Sequence, residues 1–363
     1  MSLYPSLLFS IAAKERFSFD KSCVDELYGL TENITHHPFK NLVGVIYYNL
    51  RANGYLNRLP MDLRKSLDER YYASLAFDLC QRSWLEDFIK RLLPKDVVIV
   101  LIKGSANWGT IYPPSAPRLS SDIDILVRDS DFERIISIMN TLGERLIVDK
   151  NRLFTNHVAY EYSYRINKTP IAVEVHRRLS YPFVGKVDYQ RLFGRSKTYP
   201  IYKDKRVRIL SPQDRIINIF IHSLKHAHIN VHEVVDAYRI IKKYSLDIND
   251  ILNEAVKYGV SDYARIFLIK VISLVEGGMA NVLGDDRRNN DVITLVKSKI
   301  FEFLHCKDAK VGLRVRQIMS MFLMDDFADV LRFGGFYSDL RFKDWIYNLL
   351  YVATGKNYAE EEK

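Results

Sequence analysis

The sequence predicts an α+β protein: a sheet with helices, flanked by helical N- and C-terminal regions. Three observations predict it. Apolar residues recur at helical spacing early in the chain, as in Leu42, Val43, Ile46, Tyr47 and Leu50, and then in Leu75, Leu79, Leu85, Phe88, Ile89 and Leu92. Short β-branched runs replace them after residue 95. Two of those runs, Asp122 to Val127 and Ala172 to His176, alternate polar with aliphatic residues, the period of a strand with one face in a core. The expected division is a helical N-terminal region over 1–95, a sheet-bearing domain over 96–210 and a helical domain over 211–363.

Taken in order, the N-terminal helices are punctuated by Pro38, Gly54 and Pro60, and His36 and His37 read as helix-end residues. Val97 to Ile102 is an apolar run that ends in Lys103, Gly104 and Ser105, a buried strand entering a tight polar turn. A Pro-rich loop leads to the Asp122 strand. Ser130-Asp131-Phe132-Glu133 has the capping-box form, Phe132, Ile135, Ile136 and Met139 follow at helical spacing, and Gly143 stops that helix. His157 to Ile166 then alternates and turns at Asn167-Lys168-Thr169-Pro170 into the Glu174 strand, an antiparallel hairpin. Its register decides whether Glu174 faces the aspartates.

Further on, Arg195, Lys197, Lys203, Lys205, Arg206 and Arg208 make a basic stretch with the single acid Asp204. It is either a solvated hairpin or a phosphate-backbone contact, with Tyr199 and Tyr202 placed to stack on a base. Ser211-Pro212-Gln213-Asp214 is a helix start, with an N-cap serine and proline at the first helical position. On that helix His222 and His226 lie one turn apart, as do His228 and His232 beyond it. The spacing can bind zinc, but no glutamate base sits between the pair as in His-Glu-x-x-His. Asp236, near Arg239, is read as a site residue or as half of an ion pair. Ser261 to Glu276 is a further helix closed by Gly277-Gly278, Asp285 to Asn290 a surface loop, and Tyr337 to Tyr351 a core helix rather than a membrane contact.

Composition narrows the partners. A formal net charge of +9 favours a polyanion such as a nucleotide or nucleic acid. The 3 cysteines, Cys23, Cys80 and Cys306, are far apart and form no Cys-x-x-Cys, which suits a reduced cytoplasm better than a disulfide framework or a zinc ribbon. No stretch has the length and apolarity to span a bilayer and none reads as a signal peptide, so no membrane role is expected.

The chemistry is concentrated between Val97 and His176. Side chains two apart on a strand share a face, so Asp122 and Asp124 project together while Ile123 and Ile125 enter the core. Glu174 and His176 share a face on a later strand. Neighbouring carboxylates are costly unless metal or polar partners offset them, and three hard oxygen ligands on strands suit Mg²⁺. Gly104 and Ser105 would offer N–H and hydroxyl donors to nucleotide phosphates.

Lys103-Gly104, Tyr112-Pro113, Arg118, Asp122-Ile123-Asp124-Ile125-Leu126-Val127 and Val173-Glu174-Val175-His176, in that order, resemble the nucleotidyltransferase superfamily of the DNA polymerase beta type. Within it the chain is similar to the poorly characterised bacterial and archaeal branch with a helical N-terminal segment. Ser211-Pro212-Gln213-Asp214, the His222 to His226 helix and Asp236 extend the likeness over most of residues 36 to 245. The loop from Ser105 to Asp122 is longer than in compact members. The resemblance implies a polymerase-beta-type mixed sheet and a transferase that moves a nucleoside monophosphate from an NTP, ATP among them, to an acceptor with release of pyrophosphate.

Asp122, Asp124 and Glu174 would then be catalytic and hold two Mg²⁺ ions, or Mn²⁺ in their place, with Glu174 helping to deprotonate the acceptor. Lys103, Gly104, Ser105, Arg118 and Lys225 would bind the nucleotide. RNA, for instance a tRNA end, is the favoured acceptor, ahead of a protein or a small molecule, and no stable protein partner is implied. The contrasting reading is a non-catalytic nucleotide- or RNA-binding module, which would have no use for a costly acid cluster. On these grounds Asp122→Ala and Asp124→Ala are expected to behave alike, each abolishing transfer and relieving repulsion in the metal-free fold.

Overall fold

The computed structural model describes residues 6–142, 144–145, 159–166, 169–179, 186–226 and 229–276. Its centre is a seven-stranded sheet. The strands are β1 (Ile99–Ile102), β2 (Asp122–Val127), β3 (Glu144–Arg145), β4 (Ala159–Ile166), β5 (Thr169–His176), β6 (Lys197–Thr198) and β7 (Val207–Ile209), in the spatial order β3-β4-β5-β2-β1-β7-β6. The sheet is mixed: β1 runs antiparallel to β2 and parallel to β7, while β2 runs parallel to β5 and β5 antiparallel to β4. The expected hairpin is therefore present, with Thr169 and Pro170 inside its second strand rather than in the turn.

The two faces of this sheet carry different loads. Ile99, Leu101, Ile123, Ile125, Val173 and Val175 point to one side and pack with Phe88, Trp108, Phe132, Ile135 and Tyr162 into a dry core. Beneath it lie the end of the long helix Met61–Asp87 and the helix Asp129–Leu142. The opposite parity, Val100, Ile102 and Leu126, meets only a small cluster with Leu179, Leu192, Phe193 and Leu210. That face is left open where Asp122, Asp124 and Glu174 stand, because apolar burial of the other face is enough to fix the sheet.

The helical regions on either side of the sheet share one core. Leu8, Phe9, Leu27, Val45, Ile46 and Leu50 from the early helices pack with Phe220, Val235, Ile251 and Phe267 from the helices Pro212–His226, Val231–Tyr244, Ile248–Lys257 and Ser261–Glu276. The long loop between β1 and β2 is held between these helices and the sheet. Leu119 N–H donates to Asn41 O at 2.9 Å, Tyr71 Oη to Ser115 O at 2.9 Å and Gln81 Nε2 to Ser120 O at 3.1 Å. A Cβ on Gly44 would stand 2.4 Å from Pro117 O, so that helix needs glycine where the loop crosses it.

Two local expectations are corrected. The helix after β2 starts at Asp129, with Ser130 already inside it: Asp131 N–H donates to Arg128 O at 3.0 Å, and the Asp129 carboxylate meets Arg177 Nε at 2.8 Å and Arg178. Arg239 does not pair with Asp236; it donates to Ala12 O at 2.9 Å and Ile111 O at 3.3 Å and lies over the Tyr112 ring. Gly143, His157, Gly277-Gly278, Asp285 to Asn290, Cys306 and Tyr337 to Tyr351 fall outside the described residues. Among the described residues no helix is long and apolar enough to cross a membrane.

Candidate active site

The site is built on the central pair of strands. Parallel pairing of β2 with β5 sets Asp122 opposite Ala172, Asp124 opposite Glu174 and Leu126 opposite His176. Residues opposite one another on adjacent strands share a face, so Asp122, Asp124, Glu174 and His176 project together. Lys103, which follows β1 at the head of the short helical turn Lys103–Asn107, reaches into the same group.

The contacts are close and centred on Asp124, whose side chain is fully buried. Lys103 Nζ stands 2.6 Å from Asp124 Oδ1 and 3.4 Å from Glu174 Oε2. His176 Nε2 stands 2.8 Å from Asp124 Oδ1 and 2.9 Å from Glu174 Oε2. Asp124 Oδ2 is buried and has no hydrogen-bond partner. Asp122 receives only Ser120 Oγ at 3.3 Å and Ser121 Oγ at 3.2 Å.

These contacts separate the acids electrostatically. Burial and the neighbouring Asp124 charge push the Asp122 carboxyl up to about 7, with Lys103 only partly opposing them. Glu174 moves the other way: burial would raise it, but the His176 hydrogen bond and the Lys103 charge hold it well below the carboxylate range. His176 is drawn upward by its bonds to Asp124 and Glu174, against burial and the Lys103 charge. Burial opposes the charge on Lys103, yet the attraction of Asp124 and Glu174 raises it further. Three carboxylates thus face one ammonium and one imidazole, and Asp122 is the one of them with no ion pair among the described residues.

Lys103, Asp122 and Asp124 form one wall of a cleft of about 290 Å³, and Glu174 and His176 meet them from beside its lining. Asn218, His222, Asn230, His232, Glu233 and Asp236 form the facing wall. There the charges are internally balanced. Glu233 Oε1 holds His222 Nδ1 at 2.6 Å, and Glu233 Oε2 accepts from Asn230 N at 2.9 Å and Ser223 Oγ at 3.3 Å. Burial would raise Glu233, but the His222 charge and hydrogen bond hold it well below its ordinary value. Asp236 accepts from Tyr112 Oη at 2.6 Å and Arg118 Nη2 at 2.7 Å.

The expected nucleotide contacts are placed unevenly. Lys103 lines the cleft but is committed to the acids. Arg118 lines it too, nearly buried, and is committed to Asp236. Gly104 lies where a Cβ would stand 2.4 Å from Ser120 Oγ and 2.7 Å from Arg118 Nη1, so glycine is required there by the protein's own packing. The Ser105 hydroxyl is fully buried and donates to Ile102 O at 2.9 Å and Asp124 O at 3.3 Å; it ties β1 to β2. Lys225 lies on the helix Pro212–His226, and its side chain is outside the described residues, as are those of His226 and His228.

Arg215, which sequence reasoning passed over, lines the cleft with a buried guanidinium. Its Nη2 donates to Asn107 Oδ1 at 2.5 Å and Thr110 Oγ1 at 3.1 Å, and no carboxylate lies within ion-pair distance of it among the described residues. No spacing rule flags it, because its neighbours come from a loop about 100 residues away in the chain. His176 was placed on the correct face by strand alternation and given no role; only the register shows it bridging two acids.

The basic stretch folds as a hairpin, and much of its charge is spent internally. Arg195 pairs with Asp214 and, at 2.9 Å, with Glu254; Arg206 pairs with Asp204 at 2.6 Å and donates to Leu93 O at 2.7 Å. Tyr199 is fully buried and donates to Trp108 O at 2.6 Å, which removes it as a base-stacking platform. Lys197, Lys203 and Lys205 remain exposed.

Residues 36–271, more than half of the chain, match the model of a family described as uncharacterised nucleotidyltransferase. Comparison with curated proteins and with solved structures gives no match.

Proposed function

This chain belongs to the uncharacterised nucleotidyltransferase family and is a transferase of nucleoside monophosphates, and on that premise we propose that it works with Mg²⁺, passing the nucleotide from an NTP to an acceptor nucleophile with release of pyrophosphate. The observation that carries this reading is the in-register pairing of Asp124 with Glu174, which gathers three carboxylates on one face of the sheet, with Asp122 and Asp124 lining the cleft. The residues fit a hard divalent cation: among the described residues, Asp124 Oδ2 is buried without a hydrogen-bond partner and Asp122 has hydroxyl donors but no ion pair. Asp122 and Asp124, with Glu174 beside them, are the residues that would hold Mg²⁺ or Mn²⁺. When bound, the ion supplies Lewis-acid charge to the phosphoryl oxygens.

The remaining steps fall to the chain itself. Glu174, kept ionised, orients the incoming hydroxyl by accepting its hydrogen bond, and the hydroxyl proton passes to solvent as the acceptor oxygen bonds to the α-phosphorus and the bond to the β-phosphate oxygen breaks. Arg215, a buried cation with no carboxylate within ion-pair distance among the described residues, is suited to the phosphates that leave. The facing wall, with His222 fixed by Glu233, holds the helices that shape the cleft. RNA is the acceptor favoured by the net charge of +9 and by the exposed Lys197, Lys203 and Lys205.

The test is incubation of the full-length protein with each α-labelled NTP and Mg²⁺, together with total RNA or cell lysate, beside the Asp122→Ala/Asp124→Ala control. Label moving into RNA supports both the chemistry and the acceptor. Label in protein or a small molecule keeps the chemistry and discards RNA, and no label transfer with any nucleotide rejects the reading.

A further inference from the structure

The two oxygens of Asp124 have different surroundings. Oδ1 is met by Lys103 Nζ at 2.6 Å and His176 Nε2 at 2.8 Å, and the same two nitrogens stand 3.4 Å and 2.9 Å from Glu174 Oε2. The gap between Asp124 and Glu174 is therefore already filled by nitrogen donors from the chain. Oδ2 is buried with no partner, and the nearby Asp122 has hydroxyl donors but no cation.

Lys103 is not a surface lysine that has fallen onto an acid by chance. Its backbone is left-handed, with φ at +52°, a conformation that costs a non-glycine residue about 1 kcal/mol or more and persists where surrounding structure imposes it. The turn behind it is fixed at several points. Ser105 Oγ donates to Ile102 O and Asp124 O, Tyr199 Oη donates to Ser105 O at 3.2 Å, and Gly104 is pressed against Ser120 and Arg118. The ammonium is thus delivered to the acids by a rigid turn.

We propose that this site binds one divalent cation, on Asp122 and Asp124 Oδ2, and that the Lys103 ammonium holds the second cation position, between Asp124 Oδ1 and Glu174. The inference rests on the nucleotidyl-transfer reading and narrows it. Asp124, Glu174 and His176 could themselves ligate a second divalent ion in that gap, but the ion would have to displace the Lys103 ammonium, and the repulsion between a divalent ion and an ammonium in a buried site opposes their sharing it. A tethered ammonium competes for this position at high effective concentration, so Mg²⁺ must displace it to enter.

Crystals of the full-length protein grown with Mn²⁺ and a non-hydrolysable nucleoside triphosphate analogue test this by anomalous scattering, without turnover. The wild type should show one manganese peak, at Asp122 and Asp124 Oδ2. Lys103→Ala, and Lys103→Met should the alanine variant fail to fold, should gain a second peak between Asp124 and Glu174. Asp122→Asn should lose the first. Two peaks in the wild type, none in it, or one in a folded Lys103 variant overturns the proposal. A single peak in a protein that transfers no label would sink the transfer reading and leave the cation assignment standing; two peaks in an active enzyme would do the reverse.

Discussion

The two walls of the cleft handle buried charge in opposite ways. On the strand wall, Asp122, Asp124 and Glu174 outnumber Lys103 and His176, and one oxygen of Asp124 has no partner. On the helix wall, Glu233 is saturated by His222, Ser223 and Asn230, and Asp236 by Tyr112 and Arg118. A buried acid that lacks a partner costs free energy in the resting fold, and a satisfied one rigidifies it. The strand wall is where a cation would relieve the structure; the helix wall is already complete without one. Cleft position alone would have ranked Asp122, Asp124, Glu233 and Asp236 equally.

The sharpest way to break this comparison is to remove the acids one at a time. Asp122→Ala and Asp124→Ala should each reduce label transfer by a hundredfold or more, on the order of other losses of transition-state charge stabilisation. Their stabilities should part. In EDTA, Asp124→Ala should lose about 3 kcal/mol, because the buried Lys103 ammonium and His176 are left without their main acceptor. Asp122→Ala, which removes an acid that has no cation, should melt at or above the wild-type temperature. Equal shifts in thermal unfolding would show that the two aspartates are not differently partnered. The expectation from sequence, that they behave alike, is already altered by the contacts.

The pH dependence should differ in sign between the walls. Asp122 is raised from 3.8 to about 7, so the folded state binds the extra proton, and its contribution to metal-free stability falls as pH rises across that window. Glu233 is lowered from 4.5, so its contribution is present above 4.5 and is lost as pH falls through the lower folded value. Thermal melts in EDTA across the acid to neutral range, with Asp122→Asn and Glu233→Gln, read both. Asp122→Asn should flatten the decline toward neutral pH, and Glu233→Gln the decline in acid.

Glu233→Gln should also cost about 1–3 kcal/mol at neutral pH through weakened acceptance from His222 and Asn230, while transfer falls less than tenfold. A loss of transfer matching that of Asp124→Ala would place Glu233 in the chemistry and collapse the distinction between the walls. The smallest effect is expected at Ser105. Replacing it with alanine removes hydrogen bonds to Ile102 O and Asp124 O and should cost about 1 kcal/mol, with Km for the NTP unchanged. A large rise in Km would show the hydroxyl on a phosphate after all.

Much of the strand wall was legible beforehand, and the helix wall hardly at all. Alternation in Asp122 to Val127 and in Ala172 to His176 put the right side chains on one face of each strand, since a period of two is a local property. The helix start at Ser211 and the helix to Glu276 were legible from capping and apolar spacing. The basic hairpin misled, because charge and aromatic spacing cannot reveal that Tyr199 is buried under Trp108 O or that Arg195 faces Asp214. Arg215 and Glu233 went unnoticed, since their partners come from other elements or from a cap that a sequence does not mark as part of a cleft.

By itself, then, the sequence determined the α+β class, the strand faces that bear the three acids and the resemblance to nucleotidyltransferases. These follow from local periodicity and short motifs, which need no partner to be read. The tertiary structure decided that β5 pairs with β2 in the register that sets Glu174 beside Asp124. It also decided that the turn after β1 aims Lys103 into their midst, and that Gly104 and Ser105 serve the fold's own packing. Register, loop path and ion-pair choice depend on which distant segments meet, and only the burial of shared cores fixes that.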